Sequence, residues 1–184
     1  MRRLLRNRES VSIAYRAESL PVPDMGGLEI EVIRAGDRLA TDQKRFIRRY
    51  CSPLQLWYLL RLRGLGVGWL FLVRVGDQFA HYTFVTRAKR YRKELPVITE
   101  PRALLVGPCR TESAFRGRAI YPRVLQYVVN RLSGEGHGPF YIHVTPDNAA
   151  SVRGIEKAGF TRCGEWAATH RMMGLLVTSR RVGD

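Results

Sequence analysis

The sequence predicts a mixed α/β (α+β) domain, built on one central β-sheet of mixed strand direction with helices on both faces. Three observations predict it. Residues 28–34 alternate apolar and polar in the manner of a half-buried strand, and several later runs are as rich in β-formers. Between these runs lie segments whose apolar residues recur at helical spacing. The order is β, α, α, β, β, β, α, β, α, β, with no repeat or low-complexity linker to divide it. The 184 residues suffice for one domain with a real core. Residues 26–184 are therefore read as a single domain, and residues 1–25 as a basic N-terminal arm or an extra strand.

Each element has its own signal. After the first strand, residues 37–50 place Leu39, Phe46, Ile47 and Tyr50 on one helical face. A second helix is signalled by Ser52 as N-cap, Pro53 at the first helical position and Gly64 just past the end. Residues 69–87 read as a hairpin turning at Gly76-Asp77. Its aromatic residues, Trp69, Phe71, Phe79, Tyr82 and Phe84, are expected to pack in the sheet. Residues 102–111 form another strand, irregular near Gly107-Pro108. Pro122 is expected to open a helix with Val124, Leu125, Val128, Val129 and Leu132 on one stripe. Phe140, Ile142 and Val144 then alternate with Tyr141, His143 and Thr145 along a strand. Asp147 or Asn148 can cap a short helix that Gly159 ends. The tail from Thr161 to Arg180 reads as one or two closing strands.

Charge narrows the function. Lys and Arg number 31 against 16 Asp and Glu, a net +15, which favours anionic partners. The 3 cysteines, Cys51, Cys109 and Cys163, are widely spaced and odd in number. That argues against a disulfide framework or a zinc site and fits a reducing, cytoplasmic setting. No metal site is expected. The strongly apolar run from Val67 to Val73 is far shorter than the roughly 20 residues that span a bilayer, and the Arg-rich N-terminus lacks the apolar core of a signal peptide. The cluster at 87–94 mixes cations with Tyr91, but a solvated loop is the more common outcome, and nucleic acid is not an expected partner.

The chemistry concentrates in the stretch from Thr111 to Val129. A strand ends, a turn of Arg116-Gly117-Arg118-Ala119 follows, and a helix begins. The first turn of a helix leaves N–H groups unpaired at the positive end of its dipole, where phosphate oxygens can satisfy them. Gly117 permits close approach, and Arg116 and Arg118 supply forked donors. Taken alone, the same turn could be a plain bend with solvated arginines.

A second segment decides between these. Arg116-Gly117-Arg118-Ala119-Ile120-Tyr121, followed by Asn148-Ala149-Ala150-Ser151 and Glu156-Lys157-Ala158-Gly159-Phe160, resembles the Gcn5-related N-acetyltransferase (GNAT) superfamily. That family pairs a Q/R-x-x-G-x-G/A pyrophosphate loop with a downstream N-x-x-A/S helix. The resemblance covers residues 102–165. It implies a sheet whose fourth and fifth strands splay apart, with acetyl-CoA as co-substrate in the split. The pantetheine would pair near Arg110, Thr111, Glu112 and Ser113. The pyrophosphate would meet the N–H groups of Arg116, Gly117, Arg118, Ala119, Ile120 and Tyr121, with Asn148 and Ser151 on the pantetheine side. The reaction implied is direct acetyl transfer to an amine, without a metal.

Two departures stand out. Ala119 and Tyr121 occupy the loop's glycine positions; alanine adopts positive φ at a cost, and Pro122 is expected to hold Tyr121 extended. The tyrosine that many relatives carry on the second helix, as acid for the departing thiolate, is replaced by Ile155. For the general base, Glu112 and His143 are the candidates, against plain ion pairing for the first and a satisfied sheet histidine for the second. His81 and Tyr82 could line the acceptor side. Cys109 reads as a small buried residue, not a nucleophile. The expected acceptor is a primary amine of a small molecule or amino sugar, and the basic charge suits an anionic one. A CoA- or nucleic-acid-binding module without turnover is the alternative. A homodimer is compatible with the resemblance, though no residue decides it.

Overall fold

In a computed structural model, residues 8–34, 37–52, 68–171 and 176–182 are described. The helix expected from Ser52 to Gly64 falls largely outside them. One sheet of 8 strands runs through the molecule in the order β2-β3-β4-β5-β6-β1-β7-β8. In chain order the strands are β1 (Arg8–Ala17), β2 (Glu29–Ile33), β3 (Gly68–Val75), β4 (Gln78–Arg87), β5 (Leu104–Thr111), β6 (Phe140–Val144), β7 (Thr161–Arg171) and β8 (Leu176–Arg181). Among the described residues the α-helices are α1 (Thr41–Arg48), α2 (Ile120–Ser133) and α3 (Ala149–Ala158).

The basic N-terminal stretch supplies an interior strand. β1 pairs antiparallel with β6 on one side and β7 on the other, and Ala14 and Tyr15 are buried. Its alternation, Ile13 and Tyr15 toward one face and Ala14 toward the other, hides behind the arginines when read in sequence.

One face of the sheet carries α2 and α3. Val124, Leu125, Val128, Val129 and Leu132 of α2 meet Phe71, Val73, Leu104, Val106 and Phe140 of the strands, the apolar stripe expected from spacing. The other face carries two separate clusters. Phe46 and Ile47 of α1 cover Ile33, Leu70, Leu72, Tyr82 and Phe84. The segment ahead of β5 brings Leu95, Ile98 and Ala103 over Leu105, Tyr141 and Ala14. Helix α1 is pinned at its first turn, where the Gln43 amide donates to Glu31 at 2.8 Å and Arg74 donates to Asp42 at 2.8 Å.

Two irregularities set which side chains face which side. β4 slips register against β3 between Val73 and Arg74, so Phe79 faces α1 while His81 turns to the α2 side. β5 slips against β4 between Thr83 and Val85, at Gly107-Pro108. Beyond it Cys109 and Thr111 face the α2 side, and Glu112 faces α1. A single extra residue reverses the assignment of every side chain after it.

β5 and β6, the only parallel pair described, share just two paired positions, Leu104 with Phe140 and Leu105 with Tyr141. Beyond them the strands part. These are the two strands expected to splay, each moved one place on in the chain order because β1 precedes them.

Helix α2 starts differently from expectation. Its N-cap is Ala119, left-handed at φ 53°, and Ile120 and Tyr121 are already helical. Pro122 therefore stands in the third helical position, and Tyr121 is not extended. A proline is tolerated there because its missing N–H would have lacked an intrahelical partner anyway. The left-handed alanine crowds its own Cβ against the backbone, at about 1 kcal/mol. Ala119→Gly should raise the thermal unfolding midpoint by a few degrees, as calorimetry would record, since the turn is retained and the crowding is removed.

Candidate active site

Two clefts flank the C-terminal end of β5, and Phe115 lines both. The larger, about 580 Å³, lies between the bend at 116–121 and α3. The smaller, about 390 Å³, lies on the α1 side.

The bend owes its shape to Arg123. That guanidinium donates to the carbonyls of Arg118 (3.1 Å) and Ala119 (3.4 Å), and also to Asp24 O at 3.2 Å. Because a trans peptide sets N–H opposite C=O, the amides of Ala119 and Ile120 point away from Arg123. Gly117, at φ 79°, makes the bend that precedes them. Among the described residues the N–H groups of Gly117 through Tyr121 have no backbone partner, whereas Arg116 N donates to Ser113 O at 3.2 Å. Pro122 removes one further donor. The result is a row of amides at the positive end of α2, a fit for an anion such as a diphosphate.

Of the residues expected to hold a cofactor, Arg110, Thr111, Arg116, Gly117, Ala119, Ile120, Tyr121, Asn148 and Ser151 line the larger cleft. Glu112, Ser113 and the Arg118 side chain do not; the Arg118 guanidinium lies 5.3 Å from the centre of the Phe115 ring. Asn148 caps α3, its Oδ1 accepting from Ser151 N at 3.2 Å. Arg153 and Lys157 also line the cleft, one turn apart on α3. Sequence reasoning passed over them, although their i, i+4 spacing beside the matched Glu-Lys-Ala-Gly-Phe stretch places both on one helical face.

On the wall of the larger cleft formed by β4 and β5, His81, Cys109 and Thr111 are polar yet uncharged, and Arg110 stands at the strand end as its cation. His81 is fully buried, with one ring nitrogen 2.7 Å from Thr111 Oγ1 and the other 2.7 Å from Thr83 Oγ1. Burial pushes its pKa down to about 3, so the ring stays neutral. Burial likewise pushes the Cys109 thiol up to about 12, with Thr83 and Tyr121 as its hydrogen-bond partners. A thiol so held is no nucleophile. The Tyr121 ring reaches from the first turn of α2 across to α3. A Cβ on Gly154 would stand 2.5 Å from that ring, so only glycine fits beneath it. His81, expected on the acceptor side, thus belongs to the larger cleft. Tyr82 is buried under α1, where its hydroxyl meets Cys51 Sγ at 3.4 Å.

Glu112 lines the smaller cleft with Asp42, Arg45, Phe46, Arg49 and Phe79. Its carboxylate accepts from the Tyr50 hydroxyl, and also from Ser113 N (3.0 Å) and Ser113 Oγ (3.1 Å). Arg49 stands 3.8 Å away, and the Arg110 guanidinium lies 5.1 Å from the centre of the Tyr50 ring. The Tyr50 bond first, then the Ser113 amide, hold the Glu112 pKa below its ordinary value. Among the described ion pairs, Glu112 pairs with neither of the nearby arginines Arg110 and Arg116. His143 lies on β6, exposed, with Nδ1 3.3 Å from Ser12 Oγ, and it lines neither cleft. No described contact joins the two sequence candidates.

No family model matches the sequence, and no curated protein matches it. Solved structures do. A GNAT-family protein from Novosphingobium aromaticivorans superposes with a TM-score of 0.65 at 19% identity, over 90% of this chain and 66% of that one. An acetyltransferase of the same family from Colwellia psychrerythraea gives 0.63 at 16%, over 89% and 56%. AAC(6')-Iy, solved with the bisubstrate analogue CoA-S-monomethyl-acetylneamine, gives 0.56 at 11%, over 72% and 89%. The chain spans from just over half to about two thirds of the length of the first two. It has the fold of the GNAT acetyltransferases, the superfamily that its two motifs resemble. No described helix is long and apolar enough to cross a membrane, and no described cluster of side chains is suited to a metal ion.

The Glu112 cluster makes a pH-dependent prediction. A carboxylate whose folded-state pKa lies below the ordinary 4.5 stabilises the fold above that pH, and the contribution is lost as pH falls through the depressed value. Tyr50→Phe should raise the Glu112 pKa toward 4.5, as carboxyl-carbon NMR titration would show, and make the acid limb of the stability curve shallower.

Proposed function

We propose that the chain is an acyl-CoA-dependent N-acyltransferase, acetyl being the expected group, which acts by direct transfer on a primary amine of a small molecule or amino sugar. One observation carries the reading. The open row of amides at the start of α2, backed by Arg116, Arg153 and Lys157, leads into the split between β5 and β6, and a second cleft bearing a carboxylate lies against the same strand end.

In this reading the diphosphate rests on the N–H groups of Gly117 to Tyr121, and the strand beyond the irregularity of β5 offers its backbone to the pantetheine. The bound thioester supplies an activated acyl carbon. The chain's own residues do the rest. In the cleft lined by Phe46 and Phe79, the mixed charges of Asp42, Arg45 and Arg49 suit an acceptor that bears an ammonium, with room for an anionic substituent. Glu112, held as a carboxylate by Tyr50 and Ser113, orients the ammonium and takes its proton directly or through water. The CoA-bearing analogue of the AAC(6')-Iy complex supports the same pairing of donor and acceptor in this fold.

Calorimetry at modest salt should show CoA binding, weakened about tenfold or more by Arg116→Ala. Thiol release from acetyl-CoA over a panel of amines and amino sugars should identify an acceptor, and Glu112→Gln should lower kcat by about 10²–10⁴. CoA binding with no turnover over the whole panel would instead identify a binding module, and no heat from CoA would overturn both.

A further inference from the structure

The reading of the larger cleft as an acyl-CoA site leaves one chemical role unfilled, and any residue assigned to that role depends on the same reading. When the acyl group leaves sulfur, the thiolate needs a proton or a strong hydrogen-bond donor. The α3 position at which the family resemblance implies a tyrosine is Ile155, fully buried in the core and without a proton to give.

The cleft itself does hold a phenol, on another helix. Tyr121 stands in the first turn of α2, and its side chain lines the cleft. The ring lies on Gly154, next to Ile155 in α3, at a spot where a methyl group would stand 2.5 Å from it. The opposite edge of the phenol faces β5, its hydroxyl beside the Cys109 thiol. Tyr121 and Gly154 therefore complement each other in space. A bulky residue stands where the α2 loop of relatives has a small one, and α3 offers a bare backbone beneath it. The phenol thus bridges α3 and β5 along the larger cleft, with a sulfur already as the neighbour of its hydroxyl.

A hydrogen-bonded row holds it there. Cys109 meets Thr83, Thr83 Oγ1 lies 2.7 Å from His81, and His81 lies 2.7 Å from Thr111 Oγ1. The His81 ring also packs against the phenol, with centroids 5.9 Å apart. Because His81 is neutral, it places no positive charge beside the phenol that would draw off its proton.

We propose that Tyr121 is the proton donor to the departing coenzyme A sulfur, presented from the first turn of α2 in place of an acid on α3. In that step the bond from amine nitrogen to acyl carbon is formed, and the carbon–sulfur bond breaks with its electron pair on sulfur. The phenol proton passes to that sulfur. The acceptor ammonium gives up two protons in becoming an amide; one restores the phenol and the other leaves to solvent, so the products are amide, thiol and a released proton.

The test compares CoA with desulfo-CoA, which lacks the sulfur, by calorimetry on the full chain and on Tyr121→Phe and Gly154→Ala. The native chain should bind CoA about tenfold more tightly than desulfo-CoA. Tyr121→Phe should bring that ratio to near unity with desulfo-CoA affinity unchanged, and lower kcat with acetyl-CoA by about 10²–10⁴. Gly154→Ala, which keeps the hydroxyl but displaces the ring, should lose the same preference. Equal binding of the two ligands by the native chain, or an unchanged ratio and kcat in Tyr121→Phe, would overturn the assignment and leave the acyl-CoA site standing. If the native chain bound neither ligand, the site reading itself would fall, and the assignment with it.

Discussion

Strands β5 and β6 share two paired positions and then separate, and the rest of the site depends on that separation. A parallel pair held along its whole length would satisfy its own backbone and close the sheet. Here the slip at Gly107-Pro108 takes β5 out of register with β4 just where β6 turns away, so the end of β5 is bonded on one side only. It is this half-open strand that has a cleft on each face. The larger receives Cys109 and Thr111, and the smaller receives Glu112, because neighbouring side chains of a strand point to opposite faces.

The two clefts differ in electrical character. Inside the larger, His81 and Cys109 of the strands are held uncharged by burial, while the cations Arg110, Arg116, Arg153 and Lys157 stand at the end of β5, around the bend and on α3. In the smaller, Asp42 and Glu112 stand with Arg45 and Arg49 beside Phe46, Phe79 and Phe115. The first arrangement suits a ligand with a charged head and a long, weakly polar arm. The second suits a compact ligand that carries its own charges. The net positive charge of the chain, which in sequence pointed only to anionic partners, is thereby resolved into local parts.

Much of this was legible in the residues. The α2 stripe, the hairpin at Gly76-Asp77 and the Asn148 cap follow from spacing and capping chemistry, which are local. β1 was harder, because its membership of the sheet is decided by β6 and β7, which lie far off in the chain. The bend was located correctly, but its first helical residue was not. Pro122 fits several positions of a first turn, and a left-handed Ala119 is a cost that tertiary contacts, Arg123 among them, must impose. Glu112 could be named from its place at the strand end, but its partners could not, since Tyr50 comes to it from just past the end of α1. His143 has the right chemistry for a base by residue type alone; only the geometry of β6 sets it apart from both clefts. The fit of Tyr121 over Gly154 joins residues on two helices, and no local pattern announces it.

The Arg123 clamp on two carbonyls has a consequence for how such a chain can change over time. An anion gripped by main-chain hydrogens senses the path of the backbone and is indifferent to the letters strung along it. Substitutions in the bend are then tolerated wherever the clamp keeps that path, even an alanine and a tyrosine at positions that elsewhere are glycine. A protein built this way can drift until no family pattern fits its residues, while its shape still superposes on structures of the same fold.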